Sequence, residues 1–374
     1  MPRPFVVYWN NLPAPYMVDR FNALADRGNV EFEAWFNDRT FVDRSWDVNE
    51  ASWRFRYRYL PACRLLGRSL HWPAPLFGRR PDLLFSLYAQ PVFVAGWFLA
   101  YCRGIKTGFR VLQTSDRWVK RSRAKDVVKR FMFQRANAIE TPGEDGCQFA
   151  IKYGARPERV YRATHTVDIK SYDPVLMRVN AERGALRKKL GLSGVTFLFV
   201  GRLLKDKGLD HLLGAFATVQ KQYAGETSLL LVGDGPEEAR LRRASLERGL
   251  RRVIFAGFQQ KSELPRYYAA SDVFVFPTLG DPYGIVVDEA MVCSLPVIST
   301  SSAGEIRSRV EDGMNGYIVP AEDSMALADR MLRLAGAPVL CARMGKISAA
   351  KVADHTPERW ASDFERIVKS VLKI

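Results

Sequence analysis

Histidine and cysteine are scarce in this chain of 374 residues, with four of the first and five of the second. The cysteines, Cys63, Cys102, Cys147, Cys293 and Cys341, form no C-x-x-C pair. That excludes a disulfide scaffold and most zinc sites, and it suits a reducing compartment. No histidine stands in H-E-x-x-H, and no Asp-x-Asp occurs to hold a divalent ion on a diphosphate. No metal site is therefore expected. Long apolar runs are lacking too, with one stretch to test. Leu83 to Cys102 carries no charge and is long enough to span a bilayer. Gln90-Pro91 breaks it, however, and a buried strand at Leu83–Leu87 followed by a short helix at Val92–Cys102 accounts for it better than insertion does. Pro2-Arg3-Pro4 leads straight into the strand-like Phe5-Val6-Val7-Tyr8, so no secretory leader is expected.

What is present is a globular composition, 47% apolar and 26% charged, of a length that suits two domains. The net charge of +16 calls for an acidic partner, and its distribution is uneven. Residues 1–170 hold 28 basic and 16 acidic side chains. Arg117 to Arg135 alone contains Arg117, Lys120, Arg121, Arg123, Lys125, Lys129, Arg130 and Arg135 against Asp116 outside it and Asp126 within it. A second cluster, Trp53 to Tyr59, alternates aromatic rings with arginines. It reads either as a membrane-facing patch or as a half-buried edge strand.

Short apolar runs alternate with helical stretches in both halves, which predicts parallel sheets with right-handed crossovers. In the first half the strands are read at Phe5–Trp9, Val30–Phe36, Asp82–Leu87 and Phe109–Gln113. The second half is more regular, with strands at Thr196–Val200, Ser228–Val232, Val253–Phe255, Val273–Phe276, Val297–Ser299 and Tyr317–Val319. The expected organisation is a first domain over 1–170, a connection over 171–194, a second domain over 195–352 and a terminal helix over 353–374 that crosses back to the first domain.

In such sheets ligands bind beyond the carboxyl ends of the strands. Two loops there are informative. Gly201-Arg202-Leu-Leu-Lys205-Asp206-Lys207-Gly208 places a planar fork and a point charge beside backbone amides, a combination suited to a diphosphate. In Asp281-Pro-Tyr283-Gly284-Ile285-Val286-Val287-Asp288-Glu289, the free amides of Gly284, Ile285 and Val286 would open a helix toward an anion. Glu289 lies deeper in that helix, among apolar neighbours, where it could accept two vicinal hydroxyls.

The spacing D-x7-E in D-P-Y-G-I-V-V-D-E-A-M resembles the E-x7-E signature of retaining GT-B glycosyltransferases of family GT4, the glycosyl transferases group 1. V-G-R-L-L-K-D-K-G-L-D-H-L-L, L-L-V-G-D-G-P-E-E-A-R-L, S-D-V-F-V-F-P-T, L-P-V-I-S-T and D-G-M-N-G-Y-I-V-P follow the family's order, over about Phe197 to Pro320. The resemblance implies an α/β GT-B fold, two Rossmann-like domains facing across a cleft. It gives donor-diphosphate binding to Gly201, Arg202, Lys207, Tyr283 and Gly284–Val286 (Ile285 included). It gives the ribose to Glu289, the transferred sugar to Asp281, and the nucleobase to Gly257 and Phe258. Catalysis would rest on Arg202, Lys207 and Asp281.

Three departures stand out. Asp281 replaces the first glutamate. Ser302-Ala303-Gly304-Glu305 replaces G-G-x-P-E and is assigned no role. The family's N-terminal histidine is absent, and Asp116, in Thr114-Ser115-Asp116, is the polar candidate in its place. His165 reads as a structural loop residue.

The expectation is a retaining glycosyltransferase that uses a nucleotide-diphosphate sugar as donor substrate, with no cofactor and no metal. Its acceptor would be a glycan or lipid-linked intermediate of a surface polysaccharide or glycolipid. The basic first domain would hold it to the anionic cytoplasmic face of the membrane, with no nucleic acid as partner. A sugar-nucleotide 2-epimerase of the same architecture and a basic nucleic-acid-binding protein are the alternatives.

Overall fold

The computed structural model describes residues 2–39, 49–65, 68–114 and 122–374. The chain forms two compact units, Met1–Thr166 together with His355–Ile374, and Val167–Asp354.

The first unit contains β1 (Phe5–Asn10), β2 (Glu31–Phe36), β3 (Arg56–Tyr59), β4 (Ala62–Leu65), β5 (Arg68–His71), β6 (Leu83–Ser86), β7 (Lys106–Arg110), β8 (Ala138–Thr141) and β9 (Val160–Arg162). Seven of them build a sheet in the order β3-β2-β1-β6-β7-β8-β9, parallel at every pairing. β4 and β5 pair antiparallel apart from it. Helices cover both faces, so β1 (FVVYWN) is buried along its whole length. The terminal helix Pro357–Leu372 belongs to this unit. Its Trp360 and Phe364 stack at 5.0 Å and pack against Tyr8 of β1.

The structure corrects the first-half reading at two places. The strand expected at Phe109–Gln113 is Lys106–Arg110. Thr107 and Gly108 give it little apolar signature, yet it runs through the sheet interior, and Gly108 lies close against the Phe85 ring. The Trp53–Tyr59 cluster lies at the sheet edge, with β3 mostly exposed rather than half-buried. β3 pairs with β2, setting Glu33 opposite Arg56. Its rings pack on one another, as in Trp53 and Phe55 at 5.4 Å, and its arginines are neutralised by neighbours: Arg54 by Asp26, Arg56 by Glu31 and Arg58 by Glu33. The uncharged run resolves into β6 and the helix Pro91–Cys102, and no described helix is long and apolar enough to cross a membrane.

The second unit begins with a helix, Ile169–Lys189, over most of the segment read as a connection. Its strands are β10 (Val195–Val200), β11 (Thr227–Val232), β12 (Val253–Gly257), β13 (Val273–Phe276), β14 (Val297–Thr300) and β15 (Gly316–Val319). All pair in parallel in the order β12-β11-β10-β13-β14-β15. Strand order reverses between β10 and β13, and in open parallel sheets that switch point opens a crevice beyond the strand ends. The loops after β10 and β13 flank it.

Candidate functional site

At the carboxyl end of β10, Val200 passes into Gly201 and Arg202, both half-buried. The loop is held from one side by the segment after β11, where Leu203 N–H donates to the Asp234 carbonyl at 2.7 Å. From the other side it is held by the segment after β13. Leu279 N–H and Thr278 Oγ1 both donate to the Asp206 carbonyl, at 2.8 and 3.1 Å. Gly208 makes this approach possible. It takes φ +67°, and a Cβ there would lie 2.0 Å from the Pro277 carbonyl oxygen. The two loops on either side of the switch point are thus one hydrogen-bonded rim.

That rim joins two residues that the sequence had assigned to separate tasks. Lys207 Nζ lies 2.9 Å from Asp281 Oδ2 and 3.6 Å from Asp206 Oδ2. The other Asp281 oxygen accepts the Tyr283 N–H at 2.9 Å. Asp281 therefore fixes both the ammonium and the turn into the next helix.

The helix Ile285–Val292 starts at Gly284, at φ +68°, where a Cβ would press 2.6 Å from the Phe276 ring. Its first amides, on Gly284, Ile285 and Val286, have no preceding carbonyl in helical register and present partial positive charge at the rim. Sequence reasoning missed what holds this terminus from behind. Arg309, 2% exposed, donates to the carbonyls of Tyr283, Gly284 and Gly304, the last two at 3.0 and 3.1 Å. Its guanidinium lies 4.0 Å over the Tyr283 ring and 3.5 Å from the fully buried Asp288 carboxylate. Segment 302–305, given no role above, also braces the loop. Ala303 bridges to Asp281 in parallel, and Gly304 N–H donates to the Asp281 carbonyl at 2.8 Å.

Glu289 is buried on the same helix, and its Oε2 accepts a 2.8 Å hydrogen bond from the Tyr268 hydroxyl. Burial pushes its carboxyl up from the ordinary carboxylate range, against the hydrogen bond from Tyr268 and the charge of Lys261. At Gly257, φ +70°, the space a Cβ would enter is open, and Phe258 beside it is half-buried. Together the rim offers cations and amides for an anion, a buried carboxylate for hydroxyls and open space at the end of β12. Among the described residues, no group of three or more His, Cys, Asp or Glu is placed to hold a metal ion.

Asp116 lies outside the described residues. In the first unit the structure instead reveals a buried polar network. Tyr8 and Trp360 both donate to Glu140, at 2.7 and 2.9 Å, and Arg20 donates to Thr166 Oγ1 at 3.0 Å. Arg110 lies 3.1 Å from His165 Nε2, which places that histidine in a buried structural setting. Burial and the neighbouring Arg110 bring the Arg20 guanidinium down to about 9. An arginine among Met17, Phe21 and Leu24 on an otherwise inward helix face was the available signal.

Residues 194–337 match the family model described as Glycosyl transferases group 1. The chain is 29% identical over 194 residues to an alpha-D-kanosaminyltransferase of Streptomyces kanamyceticus, covering 51% of this chain and 49% of that one. It is 34% identical over 162 residues to the amylovoran biosynthesis glycosyltransferase AmsK of Erwinia amylovora, covering 40% and 39%. The chain thus spans about half the length of the curated relatives it matches. The crystal structure of Anabaena Alr3699/HepE in complex with UDP superposes with a TM-score of 0.80 at 19% identity, over 98% of this chain and 100% of that one. Residues 194–337, within the second unit, are thus similar to the glycosyl transferases group 1, and the fold of the chain is GT-B.

Proposed function

We propose that the chain is a retaining glycosyltransferase that takes a sugar from a nucleotide-diphosphate donor held on the second unit. The observation that carries this reading is the single rim on which Lys207, Asp281 and the Gly284 helix terminus meet, with Glu289 buried on the same helix. Lys207, Arg202 and the amides of Gly284–Val286 would offset charge growing on the leaving diphosphate, in fixed positions that need no reorganisation. Those same groups do the work a divalent ion would otherwise do, so transfer is proposed to run without metal. Glu289 would take the ribose hydroxyls, with Gly257 and Phe258 beside the base. Asp281 would meet the sugar while holding Lys207.

Retention would follow front-face attack, the acceptor proton passing to the departing phosphate oxygen. A covalent glycosyl-enzyme needs a carboxylate on the opposite face of the sugar. The acceptor is proposed to be a lipid-linked intermediate of a surface glycan, with the protein peripheral on the cytoplasmic face of the membrane. The excess of base in residues 1–170 supports that placement, and the name of the AmsK relative, which speaks of amylovoran biosynthesis in Erwinia, supports a polysaccharide role.

A thermal-shift screen across UDP-, GDP- and ADP-sugars tests the donor class. A donor at a hundred times its dissociation constant stabilises by about 2.7 kcal/mol. Stabilisation by one nucleotide series supports the reading, and no shift with any of the three rejects it.

A further inference from the structure

Two neighbouring helices of the first unit expose the wrong face. The helix Pro91–Cys102 contains no charged residue, and while Phe93, Trp97 and Ala100 are buried, Phe98 is 57% and Tyr101 45% exposed. The helix Arg123–Arg135 buries Met132 and Phe133 but leaves Ala124, Val127, Val128 and Phe131 exposed. Those four positions follow i, i+3, i+4, i+7, the apolar stripe that a surface helix ordinarily turns inward. Val127 is 66% exposed. Phe131 joins the two helices, its ring edge-on to Trp97 at 5.9 Å, and Trp97 stacks on Tyr101 at 5.3 Å. The outward rings and valines therefore stand on two helices joined through the buried Trp97.

Cations surround these side chains. Arg123, Lys125 and Arg130 are exposed beside the stripe, and the Arg135 guanidinium lies 3.8 Å from the Phe131 ring centroid. Asp126, the acid of this helix, lies 3.8 Å from Lys129, which itself sits over the Tyr153 ring at 3.9 Å. Apolar side chains rimmed by arginine and lysine suit one environment above others, the boundary between acyl chains and anionic headgroups. A second copy of the chain would bring like charges together across the contact. A nucleic acid would use the cations but leave the valines and rings in water.

We propose that these two helix faces are the surface by which the first unit docks on an anionic bilayer. The rings and valines enter the interface, and Arg123, Lys125 and Arg130 meet lipid phosphates. The inference rests on the peripheral placement proposed above and is independent of the transfer chemistry.

Flotation of the full chain with phosphatidylglycerol/phosphatidylcholine vesicles, and with phosphatidylcholine alone, tests it. The wild type should float with the anionic vesicles and dissociate as salt rises. Phe98→Ser combined with Phe131→Ser should lower the partition coefficient at least tenfold. Arg123→Gln, Lys125→Gln and Arg130→Gln together should lower it by about 10²-fold. Arg123, Lys125 and Arg130 are exposed, so the glutamine variant should melt as the wild type does, while circular dichroism and donor binding by the second unit control for folding in the serine variant, which loses the Phe131–Trp97 contact. Wild-type partitioning in either variant, equal binding to neutral vesicles, or no flotation of the wild type would each overturn the proposal. Self-association seen by light scattering and abolished by the serine variants would assign the face to a second copy instead. Failure of donor binding in the wild type, with flotation intact, would count against the transferase reading and leave this one standing.

Discussion

Lys207 and Asp281 form a contact that a donor bound as proposed would have to share, because its diphosphate would compete with the carboxylate for the same ammonium. Lys207→Ala and Arg202→Ala should each reduce turnover by about 10²–10³-fold, the scale for losing one preorganised charge contact. Far-UV circular dichroism should be unchanged, since both lie on a loop. Asp281→Asn should behave differently. It removes the competing charge 2.9 Å from Lys207, so free nucleoside diphosphate should bind as well as before or better while sugar transfer slows. Equal losses of nucleotide affinity in Asp281→Asn and Glu289→Ala would contradict this division of roles. Glu289 itself gives a pH test. Burial raises its pKa above the ordinary 4.5, so the folded protein binds this proton more tightly than the unfolded chain, and the stability it contributes is lost as pH rises through the folded value. In the proposed site the ionised form is the one that would accept the ribose hydroxyls. Nucleotide affinity should therefore fall as pH drops through a midpoint above 4.5. Tyr268→Phe removes a hydrogen bond that lowers this pKa, so the midpoint should move up. Glu289→Gln should abolish the step, which separates it from titration of the nucleotide phosphates. A midpoint unmoved in Tyr268→Phe would contradict the assignment.

At the scale of elements, the start of the helix Ile285–Val292 is clamped from behind, which fixes the amides that the proposed site would use. The candidate residues, Arg202, Lys207, Asp281 and Glu289, could be picked out by their types and by the strand-turn-helix pattern around them. The clamp could not. Arg309 stands in Ile306-Arg307-Ser308-Arg309, which reads as a solvated turn, and only tertiary packing turns it inward onto three carbonyls. The Lys207–Asp281 pair was hidden for a related reason, since 74 residues separate the partners and the approach depends on backbone contact at Gly208. Arg309→Met removes the cation beside the buried Asp288 and should destabilise the fold by about 3–5 kcal/mol. Asp288→Asn in the same chain should restore part of that loss. Denaturant unfolding measures both, and an Arg309→Met variant as stable as the wild type would show that the clamp is dispensable.

Across the whole molecule, legibility followed burial. β10 and β11 each end in an unbroken apolar run, Phe197–Val200 and Leu229–Val232, buried on both faces, and their positions were readable within a residue or so. β7 was displaced in the reading because Thr107 and Gly108 give that interior strand little apolar signature, and β8 (AIET) and β9 (VYR) carry too few apolar side chains to stand out. The charge of the first half was visible, but which cations pair internally and which stay exposed was settled only by the fold. Front-face transfer predicts a product with the donor's own anomeric configuration, and nuclear magnetic resonance of the first-formed product showing inversion would refute it. The central claim is that the rim of the second unit is a nucleotide-sugar site. Calorimetric titration of the full chain with the nucleoside diphosphate chosen by the donor screen tests it most directly. The account predicts one site per chain, weakened by Glu289→Ala and by Lys207→Ala, and binding of equal strength in both variants and the wild type would contradict it.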